Sequence, residues 1–290
     1  MNTRKLTRSS AFKGSLFLLD NYSGAKQAYS LRKLSSAYTG DCIRVRRSSD
    51  DTEQNIGFVD NVIDTATLES FCSGTNGFVT TWYDQSSNGL DLGQSSLANQ
   101  PQIVSSGSLI TDGGLPAIQN TDTTGLKTLV NVDYSSISTL SGFSVHKTAS
   151  TTTQILFENS ENYQTVNGAF VFFINSNKYF AGQYSTTTPI TSSHSPQGSN
   201  KELANFYLKT LQTNATFSTV YADNSLLPVS AVSSGTSIAF PSAQTFNAYA
   251  RSGSSLGLIG IYQELVIYPT DQSANQSEIN ININEFYSIY

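Results

Sequence analysis

Apolar and polar residues alternate over short runs along most of this chain. In the segment 42–47, Ile43 and Val45 fall on one side and Arg44 and Arg46 on the other, the two-residue repeat of a half-buried strand. Segment 78–83 is a β-rich run closed by the polar turn 84–89. Further strands are predicted at 101–104, 117–119, 141–146, 154–158, 169–174, 178–184, 203–211, 215–221, 245–250 and 258–268, with turn-rich sequence between them. Helical periodicity is rarer. Ser23-Gly24 can cap a run in which Ala28, Leu31 and Leu34 recur at helical spacing. Arg32 and Lys33 stand near its C-terminal end, where cations are favoured, so a helix is predicted near 25–35. Two more are predicted near 64–72, ended by Gly74, and near 273–286. Segments 185–200 and 225–243 are rich in small polar residues and read as exposed loops. Many short strands and little helix predict a mostly β fold of two packed antiparallel sheets. No fixed-period repeat or strong linker divides the chain, so residues 16–290 read as one domain behind a basic arm, 1–15.

Charge changes this picture at one end. Charged residues are 13% of the chain, about half the usual share, and Ser, Thr, Asn and Gly fill the gap. The 11% aromatic content argues against disorder. Residues 1–47 hold ten Lys/Arg against Asp20 and Asp41, a balance of +8, whereas residues 48–290 hold six against nineteen, a balance of −13. Arg4, Lys5, Arg8 and Lys13 make an arm that reads either as an attachment element for an acidic surface or as a solvated tail. Nucleic acid is the less favoured partner. No stretch of eighteen apolar residues could span a membrane. Residues 16–19 are too short for a secretory apolar core of roughly 7–15 residues, so synthesis in a cytoplasm is expected. Cys42 and Cys72 could form a disulfide, but two buried thiols are the expectation. His146 and His194 are far apart and lack neighbouring ligand-type residues, which argues against a His-based metal site or a Ser-His-Asp triad; no cofactor is expected.

Three segments carry a resemblance. They are Ile43-Arg44-Val45-Arg46-Arg47-Ser48-Ser49-Asp50, then Phe71-Cys72-Ser73-Gly74, then Thr81-Trp82-Tyr83-Asp84-Gln85-Ser86-Ser87-Asn88-Gly89-Leu90-Asp91-Leu92. Together they resemble the front half of the arabinofuranosidase-B type of glycoside hydrolase domain, with its V-R-R-x-S-D turn, F-C-x-G helix end and Y-D-Q-S-x-x-G-x-D-L run. Near the C-terminus, Gly260-Ile261-Tyr262-Gln263-Glu264-Leu265-Val266-Ile267-Tyr268-Pro269 and the segment 276–284 resemble the last strand and helix of the family. The resemblance implies a concanavalin-like jelly roll, a β-sandwich of two antiparallel sheets with a few short helices.

The middle of the chain departs from the enzymes. Their nucleophile segment resembles W-x-x-A-D-L-E-N-G, against which segment 177–184 is set here, and no Asp or Glu lies between Glu161 and Glu202. Their general acid is an Asp in a Gly-Gly-Asp-Asn turn, where this chain reads Tyr249-Ala250-Arg251-Ser252-Gly253. Retaining hydrolysis needs two carboxyl groups about 5–5.5 Å apart, so no arabinofuranosidase activity is expected. Glu158 and Glu161, on and just past a predicted strand, are the acidic pair least unsuited to surviving chemistry. Variants of this domain resemble modules of phage virion proteins. The expectation is therefore a non-catalytic virion protein of fibre, spike or capsid-decoration type, partnered by other virion proteins or copies of itself and binding a cell-surface glycan. An active arabinofuranoside hydrolase and a non-viral extracellular carbohydrate-binding module are the alternatives.

Other residues are candidates for ligand contact. Asp84, Gln85, Ser86 and Asn88 could ligate a cation or sugar, but suit the backbone of a tight turn better. Trp82 and Tyr83 point to opposite faces of a strand, so at most one stacks on a sugar; the Trp reads as core. Phe172 and Tyr179 are candidates to line a concave face, and Arg46 to contact a glycan.

Overall fold

The computed structural model describes residues 16–185, 188–194, 198, 200–209, 218–232 and 238–290. Arg4, Lys5, Arg8 and Lys13 lie outside them. Strand Gly260–Tyr268 is the axis of the fold. Its alternation is complete on both faces: Leu265 and Ile267 enter the core between the sheets, while Val266 and Tyr268 enter a second cluster under the C-terminal helix. Thr139–Thr148 pairs with it on one side, Gln27–Ser30 and Ile118–Asn120 on the other, all antiparallel. This first sheet continues through Glu202–Lys209 and Ser218–Ala222 to Ser225–Leu226.

Strand Gly77–Trp82 joins the two sheets. It pairs with Gln102–Ser105, itself paired with Ile118–Asn120 of the first sheet. It also pairs with Leu92–Gly93 and with Ile43–Arg47. From Leu92–Gly93 the second sheet runs through Leu126–Thr128, Asn247–Ala248, Gln154–Glu158, Phe170–Asn175, Lys178–Ser185 and Thr188–His194 to Val229–Val232. The sheets meet through aromatic rings. Phe206 of the first lies 4.6 Å from Phe172 and 5.6 Å from Phe157 of the second, centroid to centroid. The protein is thus a mostly β, concanavalin-like sandwich with few short helices.

Two helices form where expected. Thr65–Phe71 is capped by Asp64, whose carboxylate accepts the Thr67 amide at 3.0 Å. Gln276–Tyr287 lays Ile279, Ile283, Phe286 and Tyr287 on the outer face of the first sheet. The helix predicted near 25–35 does not form. Gln27–Ser30 is a strand with all four residues buried, and a strand covered on both faces shows no alternation to read. The loops predicted at 185–200 and 225–243 are corrected as well, because Thr188–His194, Ser225–Leu226 and Val229–Val232 are strands. Cys42 and Cys72 are both buried and free, and burial raises the pKa of each thiol. Among the described residues no helix is long and apolar enough to cross a membrane, and there is no cluster of His, Cys, Asp or Glu able to hold a metal ion.

A buried ion pair ties the first sheet to its helix. Arg32 Nε lies 2.7 Å from Glu264 Oε2 and Nη2 lies 3.0 Å from Oε1, with both side chains at most 3% exposed. Ser30 Oγ donates to the same carboxylate at 2.8 Å, and Arg32 Nη1 donates to Asn282 of the helix at 2.9 Å. Removing one partner leaves an uncompensated buried charge. Arg32→Leu should therefore lower unfolding stability by about 3–5 kcal/mol, and Arg32→Leu with Glu264→Leu by less than that. Urea unfolding of the three proteins checks this; a double variant as unstable as the single would place the energy in the hydrogen-bonded shell instead of the charge.

Candidate functional site

Glu158 ends the Gln154–Glu158 strand, directly opposite Asn247 in the ladder. The chain then turns through Asn159–Asn162 into the 3-10 turn Tyr163–Thr165. Beyond Asn247–Ala248 the partner segment folds back on itself, closed by the Arg251↔Ser255 bridge. Tyr249, Ser252 and Leu256 in this turn have φ of 57°, 53° and 48°, a left-handed conformation that side chains disfavour. Strain of this sort gathers at functional sites. Gln94 holds the turn by donating to the Gly253 and Gly125 carbonyls at 2.7 and 3.1 Å.

The two segments meet in ion pairs. Arg251 Nε lies 3.0 Å from Glu158 Oε2, and the Tyr163 amide donates to Glu158 Oε1. The Arg251 guanidinium stands 5.7 Å from the Tyr163 ring centroid. The Glu158 side chain is fully buried, whereas that of Arg251 keeps 18% exposure. Beside them, Lys127 Nζ lies 3.0 Å from Glu161 Oε1 at the surface, and Ser252 Oγ donates to the Glu161 carbonyl at 2.8 Å. Burial raises the pKa of Glu158 against the opposing pull of Arg251 and the Tyr163 amide. Burial also acts upward on Glu161, but Ser252 and Lys127 outweigh it and its pKa falls. Nearby, Asn159 Nδ2, Ser160 Oγ and Asn247 Oδ1 are buried and make no hydrogen bond. Groups left in that state each cost about 1–3 kcal/mol.

Of the residues singled out in the sequence, only Glu158 and Glu161 meet here. Phe172 and Tyr179 do not line an exposed face. Both are fully buried between the sheets, where Phe172 touches Phe206 and Tyr179 donates to Glu202. Strand alternation instead puts Phe173 and Phe180 on the outer face, stacked at 4.7 Å. Arg46 is also not available to a glycan. Its Nε donates to Gln100 at 2.7 Å, its Nη1 pairs with Asp51 at 2.6 Å, and it covers the Phe78 ring at 4.9 Å. Tyr83 donates its hydroxyl to Asn55 at 3.0 Å. A separate open cleft of about 480 Å³ lies between Arg47, Gln54 and Phe71, but Arg47 is held there by both oxygens of Asp50. Lys127 and Tyr163 carry no signal in the sequence, and Arg251 carries one, a cation standing in the turn where the hydrolases carry an acid.

The 84–89 turn is closed by Asp84 on its own backbone and tied by Asp84, Gln85 and Asn88 to the backbone of residues 25–34. Asp84 Oδ1 accepts the Ala28 and Ser86 amides at 2.9 Å each, and Oδ2 accepts Ser86 Oγ at 2.7 Å and the Leu90 amide at 3.1 Å. Four bonds occupy the carboxylate. Gln85 accepts the Leu34 amide at 2.8 Å and donates to the Ser30 and Arg32 carbonyls at 2.9 and 3.0 Å. Asn88 donates to the Ala25 and Lys26 carbonyls at 3.0 and 3.1 Å.

Residues 22–171 match the family model described as alpha-L-arabinofuranosidase B, catalytic. Over 65 residues the chain is 43% identical to probable alpha-L-arabinofuranosidase B proteins of Aspergillus terreus and Aspergillus flavus. That stretch is 22% of this chain and 13% of each relative. An arabinofuranosidase complexed with arabinofuranosyl-alpha-1,2-xylobiose superposes with a TM-score of 0.64 at 17% identity, over 92% of this chain and 64% of that one. A mutant GH54 arabinofuranosidase soaked with 4-nitrophenyl arabinofuranoside superposes over the same shares with a TM-score of 0.57 at 15% identity. At such identities the likeness is one of fold.

Asp84→Ala orphans the buried Ala28 amide and the half-buried Leu90 amide together, so it should lower stability by about 2–4 kcal/mol. Thermal and urea melts measure it; an unchanged midpoint would show that the turn does not depend on this carboxylate.

Proposed function

The chain belongs to the alpha-L-arabinofuranosidase B catalytic family, and from that membership we propose that it recognises a glycan on the family's sandwich without cleaving it. The observation that carries this reading is the Arg251–Glu158 contact at 3.0 Å. In the hydrolase motif quoted above, a Glu-Asn step follows an apolar residue and precedes Gly. Phe157-Glu158-Asn159-Ser160 reproduces that step more closely than the 177–184 segment does. Glu158 then holds the nucleophile's place, while Arg251 occupies the turn that carries the acid in the enzymes. A nucleophilic carboxylate needs a free lone pair facing the sugar and an acid across the bond to be broken. Glu158 Oε2 is turned to Arg251 and Oε1 to the Tyr163 amide, and the side chain has no exposed surface at which a sugar could meet a remaining lone pair. An arginine cannot give up a proton to a leaving group at ordinary pH. Stacking and hydrogen bonding to a glycan need neither role.

One observation favours hydrolysis as a second reading. The Glu158 and Glu161 pKa values are displaced in opposite directions, the pattern of an acid beside an ionised partner. The assay that separates the two is chromophore release from an aryl-α-L-arabinofuranoside by purified protein. The expected outcome is no turnover above the uncatalysed rate. Turnover abolished by Glu158→Gln or Glu161→Gln would establish the second reading.

The virion setting expected from the sequence belongs to this proposal as the place where recognition would act, with the basic arm docking on an acidic neighbour. Deleting residues 1–14 should leave the melting midpoint unchanged and abolish incorporation into particles. Normal incorporation of the truncated chain would exclude that role for the arm.

A further inference from the structure

We propose that the outward edge of Arg251, with Lys127 beside it, binds the carboxylate of an acidic sugar; this rests on the glycan-recognition reading above. The guanidinium has two ends in different surroundings. Its Nε is committed to Glu158, which is fully buried, while Nη1 and Nη2 make no hydrogen bond among the described residues and the side chain keeps 18% exposure. The two Nη groups form a planar fork of donors whose spacing matches the two oxygens of a carboxylate.

The fork is already ordered. Glu158 fixes its inner edge, Tyr163 lies beside its plane at 5.7 Å, and the strained turn that carries it is pinned by Gln94 and by the Arg251↔Ser255 bridge. Little side-chain freedom remains to be lost on binding, which favours affinity. The charges around it suit an anion. Glu161 is the exposed carboxylate next to the fork, and Lys127 already neutralises it at 3.0 Å. Lys127 keeps 39% side-chain exposure, so its ammonium can also attract an incoming anion. A neutral sugar would offer the outer donors of Arg251 only uncharged hydroxyl acceptors, without the charge-assisted bidentate contact of a carboxylate.

The test uses methyl glycosides of glucuronic, galacturonic and N-acetylneuraminic acids, each against its own methyl ester, which keeps the sugar and removes the charge. Calorimetry on the full chain should show at least one acid bound about tenfold or more tighter than its ester, as expected for a charge-assisted bidentate contact, with affinity falling as salt rises. Arg251→Lys keeps a cation for Glu158 but loses the fork, and should lose about tenfold for the acid and little for the ester. Arg251→Gln combined with Glu158→Gln leaves no buried charge unpaired and should abolish the preference while still melting cooperatively. Equal binding of acids and esters, or an Arg251→Lys protein with unchanged preference, overturns the proposal. If neutral arabinose-containing oligosaccharides bind and acids gain nothing, the acidic-sugar inference falls and glycan recognition stands. If no glycan of either kind binds, both fall.

Discussion

Glu264 and Arg32 meet where strand Gly260–Tyr268, the end of Gln27–Ser30 and the C-terminal helix converge, and the register of the first sheet follows from that contact. Glu264 lies on the same face of its strand as Val266 and Tyr268, beneath the helix. Sliding the strand by one residue would send the carboxylate into the core that Leu265 and Ile267 occupy. A charge stranded there costs several kcal/mol. Coulomb attraction in the pair does little more than offset the desolvation of its two members, so its effect is selective: one pairing of these three segments is tolerable and its neighbours are not.

The same strand fixes the candidate site from a distance. Tyr249 donates to the Glu264 carbonyl at 2.9 Å and stacks on Tyr262 with centroids 4.0 Å apart. Its hydroxyl also meets Ser144 Oγ at 2.9 Å. From there the contacts run to His146 Nδ1 at 3.0 Å, from His146 Nε2 to Tyr179 at 3.1 Å, and on to Glu202. Burial lowers the His146 pKa to about 3, so the imidazole stays neutral in the folded protein where the unfolded chain would take up a proton. Stability is therefore fully present above the ordinary histidine pKa of about 6.5 and declines as pH falls from there toward 3. A buried hydrogen-bonded chain of this sort positions the groups it joins. What it positions is Tyr249, two residues before Arg251, so the aim of the guanidinium depends on the core of the sandwich and not on a free loop.

Strands were legible in the sequence where one face is wet or where an apolar run is bounded by turns, as at Ile43–Arg47 and Gln154–Glu158. They were not legible in Gln27–Ser30, where polar Gln27 and Ser30 are buried by specific partners. Gln27 donates to Tyr29 and accepts from Tyr134, and Ser30 donates to Glu264. The helical spacing of Ala28, Leu31 and Leu34 reflects two different clusters, since Leu31 faces one core and the other two face the second. Thr188–His194 was unreadable for a related reason: its Ser and Thr content looks like loop, yet it is paired on both sides. In the site, Glu158 and Glu161 could be picked out because acidic residues are scarce, but their partners could not. Lys127 comes from the strand Leu126–Thr128 and Arg251 from the turn after Asn247–Ala248, both distant in the chain, and only the ladder that sets Asn247 opposite Glu158 brings that turn over the carboxylate.

Energetics separate a dismantled site from a converted one. Replacing a buried ion pair by apolar residues of similar size is commonly neutral or stabilising. On stability alone, therefore, nothing requires Glu158 and Arg251. The surroundings add further cost: three buried polar atoms without partners at Asn159, Ser160 and Asn247, and three non-glycine residues at positive φ in the facing turn. Each is individually tolerable, and none is offset here by the dense hydrogen bonding that surrounds the buried carboxylates of Glu264 and Asp84. The proposed glycan role supplies a reason for keeping the pair: Glu158 holds the inner edge of the Arg251 guanidinium, and the 18% of the side chain that stays exposed is where an acidic ligand would meet it.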